Sequence, residues 1–315
     1  MKTEVARVEL SCGTFDALRA VEFTSSFPPH FHDTFAIGVI ESGATRLRTP
    51  RGEWIGRAGT ILAFSPGEIH SAEPVGDLGW TYRMIYPSAE VIAEMGIDVA
   101  AMNGNSPLFG APVLEDRNVA AGFLAAHEPL VQASSRGPSE DRMVAAMRAL
   151  AARYAAGARS PAVRRAYDAR VVEMARDFLD TSFSQPVRLQ TLANHCGLSL
   201  FHLIRVFRRD VGVTPYSYLI QRRVLGAQRM ICKGSSVVDA AYNCGFADQS
   251  HLTRAFRKVV GVPPGQYRRS VLHAGGVKSA RKSGRARSGA KAESDSTLRG
   301  KNLDGMDLSQ PIAVS

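Results

Sequence analysis

The sequence predicts a multidomain α+β protein with a β-rich N-terminal half and an all-helical C-terminal half. Short apolar stretches broken by Gly, Pro and acidic turns fill residues 1–95, a pattern typical of a small barrel or sandwich. From about residue 88 the apolar spacing becomes helical, and two similar helical segments follow one another between residues 164 and 273. At 315 residues the chain has room for two domains of ordinary size.

Within the first half, individual segments can be assigned. The predicted strands include 35–40, 60–64 and 80–86. The predicted helices are 88–95, 118–132 and 139–156. The last of these carries an apolar stripe at helical spacing, made of Met143, Met147, Leu150 and Tyr154. The stripe favours core packing in the same chain over a seam between two copies. We therefore expect a barrel over 1–95 and a helical linker or dimerisation region over 96–163.

Charge is unevenly distributed along the chain, whose formal net charge is +10. Residues 1–170 hold 17 Lys/Arg and 19 Asp/Glu, whereas residues 171–273 hold 14 and 6 and residues 274–315 hold 8 and 4. The basic excess therefore lies in the helical repeat and in the small, polar segment 274–315, which we expect to be a disordered tail.

Other features of the sequence indicate the cellular compartment. No apolar run reaches the roughly 18 residues of a membrane-spanning helix, and the N-terminus has no apolar segment typical of a secretory signal. The four cysteines form no CxxC pair. We expect a cytoplasmic protein with reduced thiols and no membrane association.

The C-terminal repeat is the strongest functional signal. Cys196 and Gly197 of the first copy match Cys244 and Gly245 about 50 residues later. At one common offset, Leu203, Phe207, Gly212, Pro215 and Tyr218 match Leu252, Phe256, Gly261, Pro264 and Tyr267. Each copy, at about 189–210 and 237–259, is predicted to be a short helix, a glycine turn and a second, Arg-bearing helix. This is a helix-turn-helix, which places its second helix in the DNA major groove.

The polar faces of the second helices are the candidate DNA-binding surfaces. Their residues are Phe201, His202, Arg205, Arg208 and Arg209 in the first copy, and Gln249, Ser250, Thr253, Arg254, Arg257 and Lys258 in the second. Arg can bond guanine bidentately and Gln adenine, whereas Ser, Lys and the remaining Arg can hold phosphates. The alternative is a helical protein-interaction domain with a solvated basic face.

Between the copies, residues 216–233 are predicted to form one long helix. At 1.5 Å per residue it sets roughly 25–30 Å between the copies. That distance is close to the ~34 Å of one turn of DNA, so both reading helices can enter successive segments of the major groove on one face.

About 100 residues of this region resemble the DNA-binding domain of the AraC/XylS family of bacterial transcription regulators. The matching residues include Leu192-Ala193, Gly197-Leu198-Ser199, Leu203, Phe207, Gly212, Pro215, Arg223, Gly245-Phe246, Asp248, Ser250-His251-Leu252, Arg254, Phe256, Gly261, Pro264 and Tyr267-Arg268. The resemblance implies promoter DNA and RNA polymerase as partners, activation of transcription, and a homodimer. It also implies that Ile204 faces DNA, a position at which family members often carry a polar residue.

His30 and His32 of the N-terminal half lie two apart on an extended segment and therefore point to one face, where His70 can join them. This arrangement resembles the two motifs of the cupin barrel, and in particular the effector-binding cupin of AraC-type regulators. The catalytic cupin pattern adds a Glu four residues after the second His, but this chain has Ala36 there, and Asp33 and Glu41 lack the expected spacing.

Three interpretations of these histidines remain open. They line an effector pocket as hydrogen-bonding groups, which we prefer, or they pack structurally at the barrel mouth, or they bind a metal such as Zn, Fe, Ni or Cu. Trp80, Tyr82 and Arg83 are further candidates for the effector pocket, although the tryptophan can equally belong to the core.

Together these patterns predict a transcription regulator that binds DNA and responds to a small-molecule effector. We assign it no catalytic residue, metal or cofactor. Two alternatives remain: a metal-dependent cupin enzyme with a helical appendage, and a DNA-binding regulator without an effector.

Overall fold

A computed structural model describes residues 2–99, 109–132, 137–155 and 166–276. Residues 100–108, 133–136 and 156–163 of the predicted linker lie outside the described residues. So does the predicted tail 274–315, except for residues 274–276, which end the last helix.

The described N-terminal half consists mainly of nine antiparallel strands, some long and some short. They are β1 (Lys2–Leu10), β2 (Gly13–Phe23), β3 (Phe27–His30), β4 (Ala36–Thr49), β5 (Gly52–Arg57), β6 (Ile61–Phe64), β7 (His70–Pro74), β8 (Trp80–Tyr86) and β9 (Val113–Leu114). One hydrogen-bonded path runs β1-β2-β8-β4-β6-β9, and β3, β7 and β5 join it through β4. The path ends at β1 and β9 and does not close on itself, so the strands of the predicted barrel form an open sheet.

Strand β4 serves both parts of the sheet because it changes direction midway. Its register against β8 shifts between Ile40 and Ser42, and Gly43 follows with a φ of 75°. A side chain there would be strained, and a Cβ would lie 2.3 Å from the carbonyl oxygen of Gly79. The bulge and the glycine let one strand bond β6 and β8 at its start and β5 and β7 at its end.

Each face of the main sheet has its own core. One face packs against the β3, β5 and β7 side, and its buried residues include Leu47, Phe64, Trp80 and Tyr82. The other face is covered by α1 (Ala89–Glu94), α2 (Arg117–Val131) and α3 (Gly137–Tyr154). Met143, Met147 and Leu150 of the predicted stripe are buried in this second core, so the stripe packs within the chain. Strand β9, which bonds β6, lies in the region predicted to be helical.

The C-terminal half is helical, as predicted. Its helices are α4 (Ala166–Ser182), α5 (Leu189–His195), α6 (Leu200–Val211), α7 (Pro215–Cys232), α8 (Val237–Asn243), α9 (Gln249–Val260) and α10 (Pro264–Gly276). The pairs α5–α6 and α8–α9 confirm the two predicted helix-turn-helix motifs. Between them α7, with 18 residues, is about 27 Å long. None of the described helices is long and apolar enough to cross a membrane.

Candidate DNA-binding surface and effector site

The two reading helices, α6 and α9, begin and end in the same way. The side chains of Ser199 and Asp248 cap their N-termini by accepting a hydrogen bond from a backbone N–H three residues later. Gly212 and Gly261 end them with φ of 92° and 87°, a left-handed conformation that glycine adopts without strain. Repetition of these signals explains why the two copies fold alike.

One face of each reading helix is buried and the other is open. Leu203, Val206 and Phe207 in α6, and Leu252, Phe256 and Val259 in α9, are buried. All eleven predicted DNA-binding residues lie on the open side: nine are exposed, and His202 and Thr253 are half-buried. Phe201 is 86% exposed, which is unusual for an aromatic side chain.

Local contacts position some of these side chains. The hydroxyl of Thr253 donates to the carbonyl oxygen of Gln249, 2.8 Å away, and Arg209 forms an ion pair with Asp210 at 2.6 Å. Ile204 is half-buried at the edge of the open face. The exposed surface of both helices is therefore predominantly basic and suited to a polyanion.

The β-sheet domain contacts the helical domain through the segment that carries His30 and His32. Between these histidines, Phe31 is 2% exposed and belongs to the core around α6 and α7. Its ring stacks on Tyr218 of α7, with ring centres 5.0 Å apart. The side chain of Gln221 holds the segment on both sides, accepting from Phe31 N–H and donating to the carbonyl oxygen of Pro29, each at 3.0 Å.

Asp33, the next residue after the histidine pair, adds ion pairs to the same helix. Its carboxylate contacts Arg222 and, at 2.5 Å, Arg229, both on α7. Arg222 also contacts Asp180 of α4 at 2.9 Å. We call residues 28–33, together with their partners on α7, the joint. It connects His30 and His32 directly to α7, the helix that separates the two reading helices α6 and α9.

A second contact links the sheet to the other helix-turn-helix copy. The hydroxyl of Tyr267 in α10 donates to the carboxylate of Asp16 in β2. Arg7 of β1 also pairs with Asp16, at 2.8 Å, and Gln228 of α7 donates to Tyr267 at 3.2 Å. Burial, and then the negative charge of Asp16, raises the pKa of Tyr267, so the phenol stays protonated and remains a donor.

The structure brings the three predicted histidines together. The ring centres of His30 and His70 lie 4.4 Å apart, and those of His32 lie 5.0 Å from His30 and 5.3 Å from His70. One nitrogen from each ring lies within 4.8 Å of the others. Burial lowers the pKa of His30 to about 4 and holds those of His32 and His70 well below 6.5, so all three are neutral near pH 7.

No carboxylate joins this cluster among the described residues. Ala36, at the position where catalytic cupins carry Glu, is buried at the start of β4. The two carboxylates considered in its place are ion-paired, Asp33 with α7 and Glu41 with Arg19 at 2.9 Å and with Arg83.

A cavity of about 440 Å³ lies between the sheet and the helical domain. That volume is within the ~300–1,000 Å³ typical of sites for small molecules. Its apolar lining includes Phe15, Leu18, Tyr86, Leu225 and Tyr267. Its charged lining consists of Arg7, Asp16, Asp33, Arg229 and Lys233. Of the predicted effector residues, His32 lines this cavity.

The other predicted effector residues lie elsewhere. Trp80 and Tyr82 stack on each other in the core of the sheet, with ring centres 3.9 Å apart. Arg83, on the opposite face of β8, pairs with Glu41 and, at 3.0 Å, with Glu128. The structure therefore distributes the six residues among three places. Sequence reasoning did not find Phe31 and Gln221 of the joint.

Comparisons with known proteins agree with this architecture. The family model described as AraC-like ligand binding domain matches residues 13–151, and the one described as helix-turn-helix domain matches residues 192–270. The chain is 30% identical to the uncharacterized HTH-type transcriptional regulator YbfI of Bacillus subtilis (strain 168) over 237 residues, which cover 75% of this chain and 85% of that protein.

Two further similarities are more limited. The HTH-type transcriptional activator RhaS of Yersinia pestis (strain Pestoides F) is 35% identical over 89 residues, covering 28% of this chain and 33% of that protein. The crystal structure of unsaturated fatty acid bound wild-type ToxT from Vibrio cholerae strain SCE256 aligns with a TM-score of 0.48 at 13% identity, covering 85% of this chain and 94% of that one. The chain therefore belongs to the AraC family of transcriptional regulators, in which a ligand-binding domain precedes a helix-turn-helix domain.

Proposed function

We propose that this regulator binds promoter DNA with α6 and α9, and that a small molecule in the cavity between its two domains controls that binding. The observation that carries the proposal is the joint, because it brings the cavity into direct contact with α7, the helix between the two reading helices. A ligand that prefers one arrangement of the joint changes the population of DNA-binding conformations by its difference in affinity.

The DNA-binding part of the proposal is supported by the exposed faces of α6 and α9. In α9, Gln249 and Arg254 carry side chains that can bond adenine and guanine edges, and Arg257 and Lys258 are suited to phosphates. In α6, Phe201 and Ile204 can contact thymine methyl groups, with Arg205 as the hydrogen-bonding neighbour. The two helices would then read successive segments of the major groove.

The cavity favours an effector with an apolar body and a negatively charged group. Aromatic and aliphatic side chains form most of the lining. Two of its three cations are already paired, Arg7 with Asp16 and Arg229 with Asp33, whereas Lys233 has no ion pair among the described residues. An anionic group of the ligand would form an ion pair with Lys233.

By analogy with the activator RhaS, we propose that DNA binding activates transcription. From the family resemblance of the sequence we further propose contact with RNA polymerase and a cytoplasmic homodimer. Because the apolar stripe of α3 is buried, the dimer surface would lie outside this stripe.

The DNA part is tested with the full-length protein. Selection from a random duplex library should yield a consensus with two half-sites about one helical turn apart, and fluorescence anisotropy should show preference for it over bulk competitor DNA. Enrichment of no sequence would refute specific DNA reading.

The effector part is tested by thermal unfolding with panels of small carboxylates and their neutral amides. A ligand at 100 times its Kd should add about 2.7 kcal/mol of stability. Lys233→Gln should weaken the response to the carboxylate, whereas Lys258→Gln, outside the cavity, should leave it unchanged. An equal loss in both variants would exclude the cavity as the site.

A further inference from the structure

We propose that His30, His32 and His70 form a binding site for a divalent transition-metal ion, and that the ion locks the joint between the sensor and DNA-binding domains. The inference rests on the proposed function, since it names an ion as part of the effector site and specifies how ion binding there affects the reading helices α6 and α9. The chemistry is that of borderline ions such as Zn²⁺, Fe²⁺, Ni²⁺ or Co²⁺, for which neutral imidazole is a preferred ligand.

Two of the three rings are oriented by the backbone. Nδ1 of His30 lies 2.8 Å from the carbonyl oxygen of Pro28, and Nδ1 of His70 lies 2.9 Å from that of Glu68. A neutral ring that donates through Nδ1 carries its lone pair on Nε2. Such an outer hydrogen bond is what usually fixes the tautomer and ring orientation of a metal-bound histidine.

The spacing of the nitrogens is compatible with one ion. Three nitrogens at about 2.1 Å from a tetrahedral ion lie about 3.4 Å from one another. One nitrogen of each ring already lies within 4.8 Å of the others, and the rings come from the end of β3, from the residue two positions later and from the facing strand β7. Binding of one ion would therefore draw these nitrogens closer together.

The surroundings of the three rings differ in a way that provides access. His30 and His70 are 4% and 5% exposed, and Phe64 stacks on His70 with ring centres 3.8 Å apart. His32 is the member that lines the 440 Å³ cavity. Ion entry and a fourth ligand therefore come from the cavity, where an anionic group of the effector can supply that ligand.

An ion bound to the three histidines would act directly on the DNA-binding domain. Between two ligands of the ion, Phe31 is inserted into the core of the first helix-turn-helix copy, and Gln221 bonds the backbone on both sides of His30, at Pro29 and Phe31. Directly before β7, Ile69, the chain neighbour of His70, is buried in the same core. An ion that joins His30 and His32 to His70 thus ties together two segments that both hold the helical domain.

The first test is metal binding by the full-length protein. Titration with Co²⁺ should give the visible bands of a tetrahedral site and saturate at one ion per chain, and Zn²⁺ should displace it. His32→Gln, which changes the most accessible ring, should weaken Co²⁺ binding at least about tenfold. His195→Gln, on α5, is the control and should bind as the unmodified protein does. Absence of Co²⁺ uptake by the unmodified protein would overturn the proposal without any variant.

The second test measures DNA affinity with and without Zn²⁺. The described arrangement leaves both reading helices exposed, so an ion that locks it should lower the Kd for selected DNA at least about fivefold. His32→Gln should remove this response to Zn²⁺. An unchanged or raised Kd would overturn the coupling, whereas loss of DNA binding in every state would instead contradict the proposed function.

Discussion

The two helix-turn-helix copies have matching scaffolds but different reading faces. Both have a capped N-terminus, a left-handed terminal glycine and a buried leucine and phenylalanine at equivalent positions. The open face of α6 presents Phe201 and Ile204 beside its arginines, whereas that of α9 presents Gln249, Ser250 and Arg254. The second copy is therefore the better equipped for hydrogen bonds to base edges.

The copies also differ in what the sensor domain contributes to them. Phe31 and Ile69 are part of the core of the first copy. The second copy instead meets the sheet through hydrogen bonds, from Tyr267 to Asp16 and from Gln266 to the carbonyl oxygen of Thr3, and through partly buried Val5. The comparison teaches that the sensor domain contributes buried apolar side chains to the first copy and mainly hydrogen bonds to the second, whereas α9 is better suited to sequence reading.

The largest effect is expected from Phe31→Ala. Removal of a buried phenylalanine typically costs about 3–5 kcal/mol, here in a core shared by both domains. The free energy of unfolding from urea titration measures it. Phe27→Ala, near the second copy, should cost less, because Phe27 is partly exposed and stacks on Phe23 of the sheet rather than entering the helical core. Equal losses would erase the proposed asymmetry.

Arg254→Ala should separate the two reading faces. Loss of one base contact should lower discrimination between selected and random DNA by about 1–3 kcal/mol. Arg205→Ala should lower it less, because its neighbours Phe201 and Ile204 offer no hydrogen bonds to support base reading. Anisotropy with both DNAs measures the difference. If Arg205→Ala costs more discrimination, the first copy is the principal reader.

Gly212→Ala and Gly261→Ala probe what the copies share. A left-handed alanine should cost about 1–2 kcal/mol of stability at either position. Each new Cβ also meets the sensor domain, at 3.1 Å from Pro50 or 3.3 Å from Phe27. Thermal unfolding is the measurement. Gly122→Ala, inside α2 with its nearest neighbour 3.8 Å away, is the control and should stabilise by about 0.5–1 kcal/mol.

The smallest effect is expected from Arg208→Ala and Arg257→Ala, equivalent exposed positions near the ends of α6 and α9. If both hold phosphates, each should reduce the slope of log Kd against log salt by about 1 and weaken binding to all sequences alike. A change in slope for only one of them would show that a single copy contacts the backbone there.

Repeated or periodic signals made much of the architecture predictable. The duplicated Cys-Gly turn and the apolar spacing predicted both motifs, and the separation of two between His30 and His32 predicted that they share one face. The same period of two argues against a single pocket for Tyr82 and Arg83, because adjacent strand residues point to opposite faces.

The joint could not be predicted in the same way. Gln221 bonds the backbone about 190 residues away, and neither its own helix nor the histidine segment has a local pattern that names the other as its partner. Phe31 looks like the ordinary alternation of a strand in the sequence. Long-range pairings of this kind depend on how two domains meet, and one sequence alone does not encode that in its periodicity.

Gln221 and Asp33 fasten the same loop to α7 by different chemistry. The amide bonds are neutral and close to insensitive to ionic strength, whereas the Asp33 pairs with Arg222 and Arg229 are partly open to water and are screened by dissolved ions. At high salt concentration the ion pairs of Asp33 weaken while the hydrogen bonds of Gln221 persist. The loop should then stay attached to α7 but rotate about the Gln221 bonds. A rise in ionic strength would then alter the freedom of the DNA-binding half without releasing it.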